Sequence, residues 1–417
     1  MVNKKIVSIR AFETLDSRGN PTVTVHIALE CGSCGIASVP SGASTGEFEA
    51  VERRDGDPAR YGGRGTRIVC ADIENKILPG IRGIDASLQN ILDLRLAELD
   101  GSSNKSMFGA NALLAVSLAA ARASANAYGM PLYRYLGGIC GICGTGDMPV
   151  PMMNILNGGR HADNNIDIQE FMIVPLRAQN ISEAVRIGSE IYHALRDLLH
   201  KKGYTTSVGD EGGFAPDLPD DEAAIEWILA AIDKAGYTTD TVKLALDVAA
   251  SEWAEKDRYF LPGRELSLTT EDLIAKFSEW CAKYPIISIE DPVGENDVSG
   301  WQAVTQALGE KIMLVGDDLF VTNTTRLHSG IQMGLANAVL IKPNQIGTLS
   351  ETLDTVRTAH ANNYKTIISH RSGETCDAFI SDIAVATGSG FLKAGAPARG
   401  ERVAKYNRLI QIEKLLS

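Results

Sequence analysis

Six ionisable residues each close a short apolar run. Lys243-Leu-Ala-Leu ends in Asp247, Ile286-Ile-Ser-Ile in Glu290, and Ile312-Met-Leu-Val-Gly in Asp317. Ala338-Val-Leu-Ile ends in Lys342, Thr366-Ile-Ile-Ser in His370, and Phe391-Leu in Lys393. A lone charge after such a run is ordinarily a solvated strand end. Six at roughly strand–helix spacing carry a different meaning, because in a closed barrel of parallel strands the carboxyl ends converge on one mouth. Asp247, Glu290 and Asp317 offer three carboxylates without sulfur or imidazole, a hard oxygen set suited to Mg²⁺ with water or substrate completing the octahedron. Lys342 and Lys393 add positive charge. A lysine with cationic neighbours loses its proton more readily, moving from ~10.4 toward ~7–8, where it can act as a general base. Facing a carboxylate-held cation, such a base suits removal of a proton α to a carboxylate, the metal taking up the charge that accumulates on oxygen.

The elements that must hold these residues are visible after residue 150. Strand candidates at 170–176, 243–249, 286–290, 312–317, 338–342, 366–370 and 391–394 alternate with amphipathic helices such as Ile181–Lys202. Repeated βα units favour a parallel sheet, and this many favour a closed barrel. Before residue 150 the pattern differs. Thr22–Leu29 reads as a strand, Cys31–Cys34 as a hairpin turn, and the segment from Gly35 as a return strand, followed by the Gly/Ser-rich loop Ser41–Gly46. A helical stretch spans about 66–128 and ends at Gly129 and Pro131. The Gly-rich segment Gly137–Gly146 lacks the Gly-Lys-Ser/Thr of a phosphate loop and reads as a linker.

The 417 residues are 44% hydrophobic and 22% charged, with a net charge of −12. That balance argues against nucleic acid or an anionic membrane as the main partner. The most apolar helical run, Ala112–Ala121, is too short to span a bilayer, and no apolar signal-peptide core follows the N-terminus, so a cytoplasmic protein is expected. Seven cysteines do not suggest a disulfide framework. Two pairs, Cys31/Cys34 and Cys140/Cys143, have C-x-x-C spacing and could share a zinc ion only if the fold joined them; ordinary turn cysteines without stoichiometric zinc are the expectation.

Ten motifs in order resemble those of the enolase (phosphopyruvate hydratase) family of bacterial type over essentially the whole chain. They are Asp16-Ser-Arg-Gly-Asn-Pro-Thr22, Ser41-Gly-Ala-Ser-Thr-Gly46, Met153-Asn-Ile-Leu-Asn-Gly-Gly-Arg-His161, Asp167-Ile-Gln-Glu-Phe171 and Gly209-Asp-Glu-Gly-Gly213. Ser288-Ile-Glu-Asp-Pro292, Gly316-Asp-Asp-Leu319, Leu340-Ile-Lys-Pro-Asn-Gln-Ile-Gly347, Ser369-His-Arg-Ser-Gly-Glu374 and Arg402-Val-Ala-Lys-Tyr-Asn407 complete the set. The resemblance implies an α/β protein, a modified (β/α)₈ TIM-type barrel (139–417) with a smaller N-terminal α+β capping domain (1–138). It implies reversible dehydration of 2-phosphoglycerate to phosphoenolpyruvate, a small phosphorylated carboxylic acid substrate, two Mg²⁺ per active site, and a homodimer or octamer. By the same resemblance Lys342 is the base at C2, Glu211 the acid at the 3-hydroxyl, and Glu170 its assistant. His161 and Gln169 line the site, Arg371 and Ser372 bind phosphate, and His370 and Lys393 orient the substrate. Asp247, Glu290 and Asp317 hold the first Mg²⁺, with Glu290 and Asp317 also beside the substrate. Ser44, on a loop that closes over the substrate, helps hold the second.

The chain departs from the family pattern at Arg53, usually apolar, at Ala394, usually threonine, at Val298, where Trp is common, and at Cys31 and Cys34. None removes a reacting group. Two other readings therefore stand beside an enolase: a paralogue acting on a phosphonate analogue, and a non-catalytic surface or scaffold protein. The second would be expected to have lost Glu211, Lys342 or a metal ligand.

Overall fold

The computed structural model describes residues 3–42, 46–141, 147–256 and 258–416. The chain opens with three antiparallel strands, β1 (Ile6–Leu15), β2 (Pro21–Leu29) and β3 (Cys34–Ser38), adjacent in that order. Alternation along β2 buries Val23, Val25, Ile27 and Leu29. The expected hairpin turn is present, with Gly32 at φ +86° and the Leu29 N–H donating to the Ser33 carbonyl at 2.9 Å. Helix Ala110–Ala127 lies across this sheet, its small side chains allowing close approach. A Cβ on Gly35 would stand 2.2 Å from the Ala119 carbonyl oxygen, so β3 requires glycine where the helix crosses it.

The stretch from 66 to 128 is helical in three pieces, Arg67–Ile81 with a π-helical turn, Gln89–Asp100 and Ala110–Ala127. One expectation is overturned. Gly137 to Cys140 is not linker but the end of helix Leu132–Cys140, which buries Leu132, Tyr133, Tyr135, Leu136 and Cys140. Apolar burial outweighs the roughly 1 kcal/mol that glycine costs a helix. The helix also carries the chain across the expected boundary at 138/139, while Cys143 and its neighbours lie outside the described residues.

Eleven strands follow: β4 (Val150–Asn157), β5 (Glu170–Val174), β6 (Lys243–Asp247), a small meander of β7 (Ala254–Glu255), β8 (Arg258–Leu261) and β9 (Leu266–Leu268), then β10 (Ile286–Glu290), β11 (Met313–Gly316), β12 (Ala338–Ile341), β13 (Lys365–Ser369) and β14 (Phe391–Lys393). Strands β4, β5, β6 and β10 to β14 close a barrel, with β14 pairing back onto β4 through Phe391 and Val150. Met152, Met172, Val174, Ala245, Val315, Ala338, Leu340 and Ile367 fill its interior, so the barrel is a packed core and chemistry is confined to its mouth. Helix starts are set by side chains that accept orphan N–H groups, as Asn180 does from Glu183 at 2.8 Å and Thr269 does in a capping box with Asp272.

Strand β5 runs against both neighbours. The connection from β4 crosses the mouth with only a 3₁₀ turn at Gly159–His161 and no α-helix, so it cannot return the chain to the far end for a parallel strand. The first residue of β5 therefore lies at the mouth, and Glu170 pairs with Asp247 at the end of β6. Helices Ile181–Lys201 and Asp221–Lys234 then stand between β5 and β6, and the loop joining them returns to the mouth, where Phe214 bridges to Leu156 of β4. The N-terminal sheet and helix are tied to the barrel by Arg122, whose guanidinium donates to both oxygens of Asp377 at 2.8 and 2.9 Å. The same carboxylate accepts from the Ser38 and Phe379 backbones at 3.0 Å each. Among the described residues no helix is long and apolar enough to cross a membrane.

Candidate active site

The mouth holds a pocket open to solvent, lined by His161, Gln169, Glu170, Glu211, Asp247, Asp317, Lys342, His370, Arg371, Ser372 and Lys393, with Asp291 and Asp318. Every expected site residue that the structure describes thus reaches one place, Glu290 through its bond to Lys393. Ser44 lies outside the described residues.

Lys393, at the end of β14, is buried with its ammonium 3.0 Å from Asp247, 2.8 Å from Glu290 and 3.1 Å from Glu170. Burial opposes its charge, but these carboxylates hold it well above the ordinary lysine range. Gln169 also donates to Asp247, at 3.4 Å. Lys342 caps β12 and donates to Asp317, which takes a second bond from Gln345 at 2.8 Å. Burial alone would lower Lys342, yet Asp317 raises it above its usual value. The depressed lysine expected from cationic neighbours is not what this arrangement holds, because Asp317 is nearer than any cation.

The loop between the two helices presents Glu211 to the same pocket. Gly212 takes φ +87°, and a Cβ on Gly213 would lie 2.6 Å from Asn157 Oδ1, so this turn needs both glycines. Glu211 Oε2 accepts from Asn154 Nδ2 at 3.0 Å. Its Oε1 lies 3.2 Å from His370 Nε2 and 3.7 Å from His161 Nδ1. His161 Nδ1 is also 3.6 Å from Glu170. Two carboxylates this near do not ionise together comfortably. Burial and the neighbouring Glu211 push Glu170 well above the carboxylate range. Burial also raises Glu211, but the N–H that His370 turns toward it and the Arg402 guanidinium pull it below its usual value. The raised acid of the pair is thus Glu170 rather than Glu211, contrary to the expectation from burial alone.

Arg371 donates to Glu49 at 2.9 and 3.3 Å and to Asn344 at 3.3 Å. Glu49, Asp291, Asp318, Asn154, Gln345 and Arg402 were not singled out from sequence, although five of them stand inside or beside the matching motifs. Glu49 gave no signal beyond following the Ser41–Gly46 loop. Of the departures, Arg53 pairs with Asp72 at 2.6 Å in the N-terminal unit, and Ala394 is buried directly after Lys393.

The donor chemistry fits a cation. Seven carboxylates line the pocket (Glu170, Glu211, Asp247, Glu252, Asp291, Asp317 and Asp318) against three fixed cations, Lys342, Arg371 and Lys393. The surplus is felt locally: burial and Asp317 push Asp318 up to about 8, and burial with Asp318 raises Asp291 well above its usual value. Asp291, Asp317 and Asp318 offer oxygens within 4.8 Å of one another. Asp247, Glu290 and Asp317 end the adjacent strand runs β6, β10 and β11, and are bridged by lysines rather than gathered as tightly.

A closed barrel with acids and lysines at its carboxyl mouth, beneath a small α+β unit, defines a two-domain barrel enzyme of the metal-dependent kind. The family described as "Enolase, C-terminal TIM barrel domain" matches residues 145–417, and "Enolase, N-terminal domain" matches residues 6–136. A protein named enolase from Natranaerobius thermophilus is 54% identical over 412 residues, covering 99% of this chain and 95% of the relative. The chain belongs to the enolase family: it is a lyase of the phosphopyruvate hydratase type.

Proposed function

We propose that this pocket carries out the reversible, Mg²⁺-dependent dehydration of 2-phosphoglycerate to phosphoenolpyruvate, with residues 139–417 as the catalytic barrel and 1–138 as its cap. Lys342 Nζ takes the proton from C2, and the Glu211 carboxyl gives a proton to the departing 3-hydroxyl, which leaves as water. The observation that supports this reading is that one buried amine and one buried acid pair line a single pocket with different partners, Lys342 on Asp317 and Glu211 against His370. Glu170, the acid of raised pKa beside Glu211, stores the proton that Glu211 delivers. Both substrate anions add negative charge, which drives that proton toward the carboxyl nearest the leaving group. Arg371 and Ser372 bind the phosphate, and His161, Gln169, His370 and Lys393 orient the acid.

Asp247, Glu290 and Asp317 would hold one Mg²⁺, which supplies charge stabilisation to the substrate carboxylate and competes with Lys342 for Asp317. A second, held with Ser44 and the phosphate, completes the set carried over from the family. A homodimer accords with the exposed apolar side chains of β1, where Phe12 and Leu15 stand 49% and 57% exposed. The cytoplasm, with its reducing milieu, suits Cys31 and Cys34 as thiols.

The deciding experiment supplies 2-phosphoglycerate and Mg²⁺ and follows the absorbance of phosphoenolpyruvate. Turnover at tens per second or faster, typical of enzymes, is expected. No turnover, with dehydration of a phosphonate analogue instead, would replace this reading.

A further inference from the structure

Arg402, in the first turn of the helix Gly400–Leu416, is completely buried yet lies outside the pocket lining. Its Nη1 donates to the Arg371 carbonyl at 2.6 Å, and its Nη2 to the carbonyls of Asp210 at 3.0 Å and Ser372 at 2.6 Å. Nη1 also lies 2.6 Å from His370 Nδ1. A guanidinium has donors only and does not deprotonate in proteins. A hydrogen bond at that distance therefore requires the lone pair on Nδ1, which places the single ring proton on Nε2. Nε2 is buried, finds no well-aligned partner, and stands 3.2 Å from Glu211 Oε1.

We propose that Arg402 is a positioning residue that fixes His370 as the neutral Nε2–H tautomer, so that the ring offers Glu211 a donor and never becomes an imidazolium beside it. The second half rests on the acid role given to Glu211 above. An imidazolium at this position would pair with Glu211, keep it ionised, and stand as a competing acid next to the leaving group. The charged groups around His370 are Glu211 from the loop before Asp221, Arg402 from the last helix and Lys393 from β14, with His161 approaching the same Glu211 oxygen. Only Glu211 favours a charged ring. Burial, Arg402 and Lys393 oppose it and push His370 down to about 3.

The test is nitrogen NMR of ¹⁵N-histidine-labelled protein, with the His370 signals assigned by their loss in His370→Gln. The wild-type ring should show the Nε2–H pattern unchanged from pH 5.5 to 8, with or without Mg²⁺. An Nδ1–H pattern, or titration within that range, overturns the proposal without recourse to any variant. Arg402→Lys, which keeps one cationic donor, should retain the tautomer; Arg402→Met should lose it and let the ring titrate. In Arg402→Met kcat at pH 6 should then fall at least tenfold relative to pH 8, beyond any wild-type change, while Arg402→Lys should restore the wild-type profile. If the tautomer changes but both profiles match wild type, the link from Arg402 to Glu211 is wrong. Should Glu211→Gln dehydrate normally, the acid role fails instead, and the tautomer result stands apart from it.

Discussion

Replacing Glu211 with Gln separates the two proton transfers and can be worked through from the contacts of one side chain. Glu211 presents an acceptor to Asn154 at 3.0 Å and another toward His370 at 3.2 Å. Glutamine has nearly the same shape but offers one acceptor and one donor. With its oxygen toward Asn154, its NH₂ meets the His370 N–H; flipped, its NH₂ meets the NH₂ of Asn154. In either orientation two buried donors are set against each other, costing about 1–3 kcal/mol. That lowers the unfolding midpoint without unfolding the protein at 25 °C. Loss of a general acid is a larger effect, about 10²–10⁴ in rate, or ~3–5 kcal/mol on the barrier. Phosphoenolpyruvate formation should fall by that factor, while the C2 hydrogen of 2-phosphoglycerate still exchanges with deuterium in D₂O, because Lys342 is intact. Lys342→Ala should lose both. Proton NMR of the C2 signal and absorbance of the product read the two steps separately. Exchange that survives in Lys342→Ala and vanishes in Glu211→Gln would show the base and acid interchanged.

Chelation should abolish activity and Mg²⁺ restore it, and Asp247→Asn, Glu290→Gln and Asp317→Asn should each weaken Mn²⁺ binding at least as much as the ~10–100-fold that loss of a group behind a metal ligand costs, read by electron paramagnetic resonance of the free ion. Unchanged binding in all three would remove them as ligands. At pH 7 Asp377→Asn should cost about 1.5–3 kcal/mol in urea unfolding, the range for hydrogen bonds to charged groups. Burial raises Asp377, but Arg122 and two backbone N–H groups hold it below the ordinary carboxylate range. Its contribution is therefore present above the unfolded value near ~4 and lost as pH falls through the folded one, so wild type and variant should converge as pH drops below ~4; a gap that is constant with pH would refute this. Metal analysis should find no stoichiometric zinc, and one zinc per chain that is lost in Cys31→Ser and Cys140→Ser would reverse that expectation.

The strand ends were readable because each apolar run is short, β-branched and stopped by a charge, and because a barrel turns sequence spacing into one mouth. The rule fails where a strand is reversed. In β5 the residue at the mouth is the first, Glu170, and nothing in Glu170–Val174 itself reveals its direction; the absence of a helix before it does. Strand β4 was hidden by Pro151 and by Asn154 and Asn157, residues poor in strands by propensity but here buried and facing the Glu211 turn. The protonation balance was the least legible part. Residue types placed Lys342 among charges, but whether Asp317 or a cation is its nearest neighbour depends on side-chain geometry. Arg402 opens a matching motif, but its role was illegible for a similar reason: it belongs to a helix far along the chain, and only the fold brings its guanidinium against His370.

Pairing of β14 with β4 also sets an order for biosynthesis. The two edges that close the barrel, Val150 and Phe391, leave the ribosome more than half the chain apart. At ~5–20 residues per second, the β4 edge waits on the order of tens of seconds for its partner. Throughout that interval the nascent chain carries an open sheet with an unpaired strand at each side, the kind of surface that recruits chaperones or other strands. The N-terminal sheet and helix can fold first, but Asp377, which anchors them through Arg122, is also made late. Final closure adds the last strand, the Arg402 helix and the inter-domain tie almost together. The nascent enzyme is therefore silent until nearly its whole sequence has been made, and then acquires barrel, cap and active site in one concluding step.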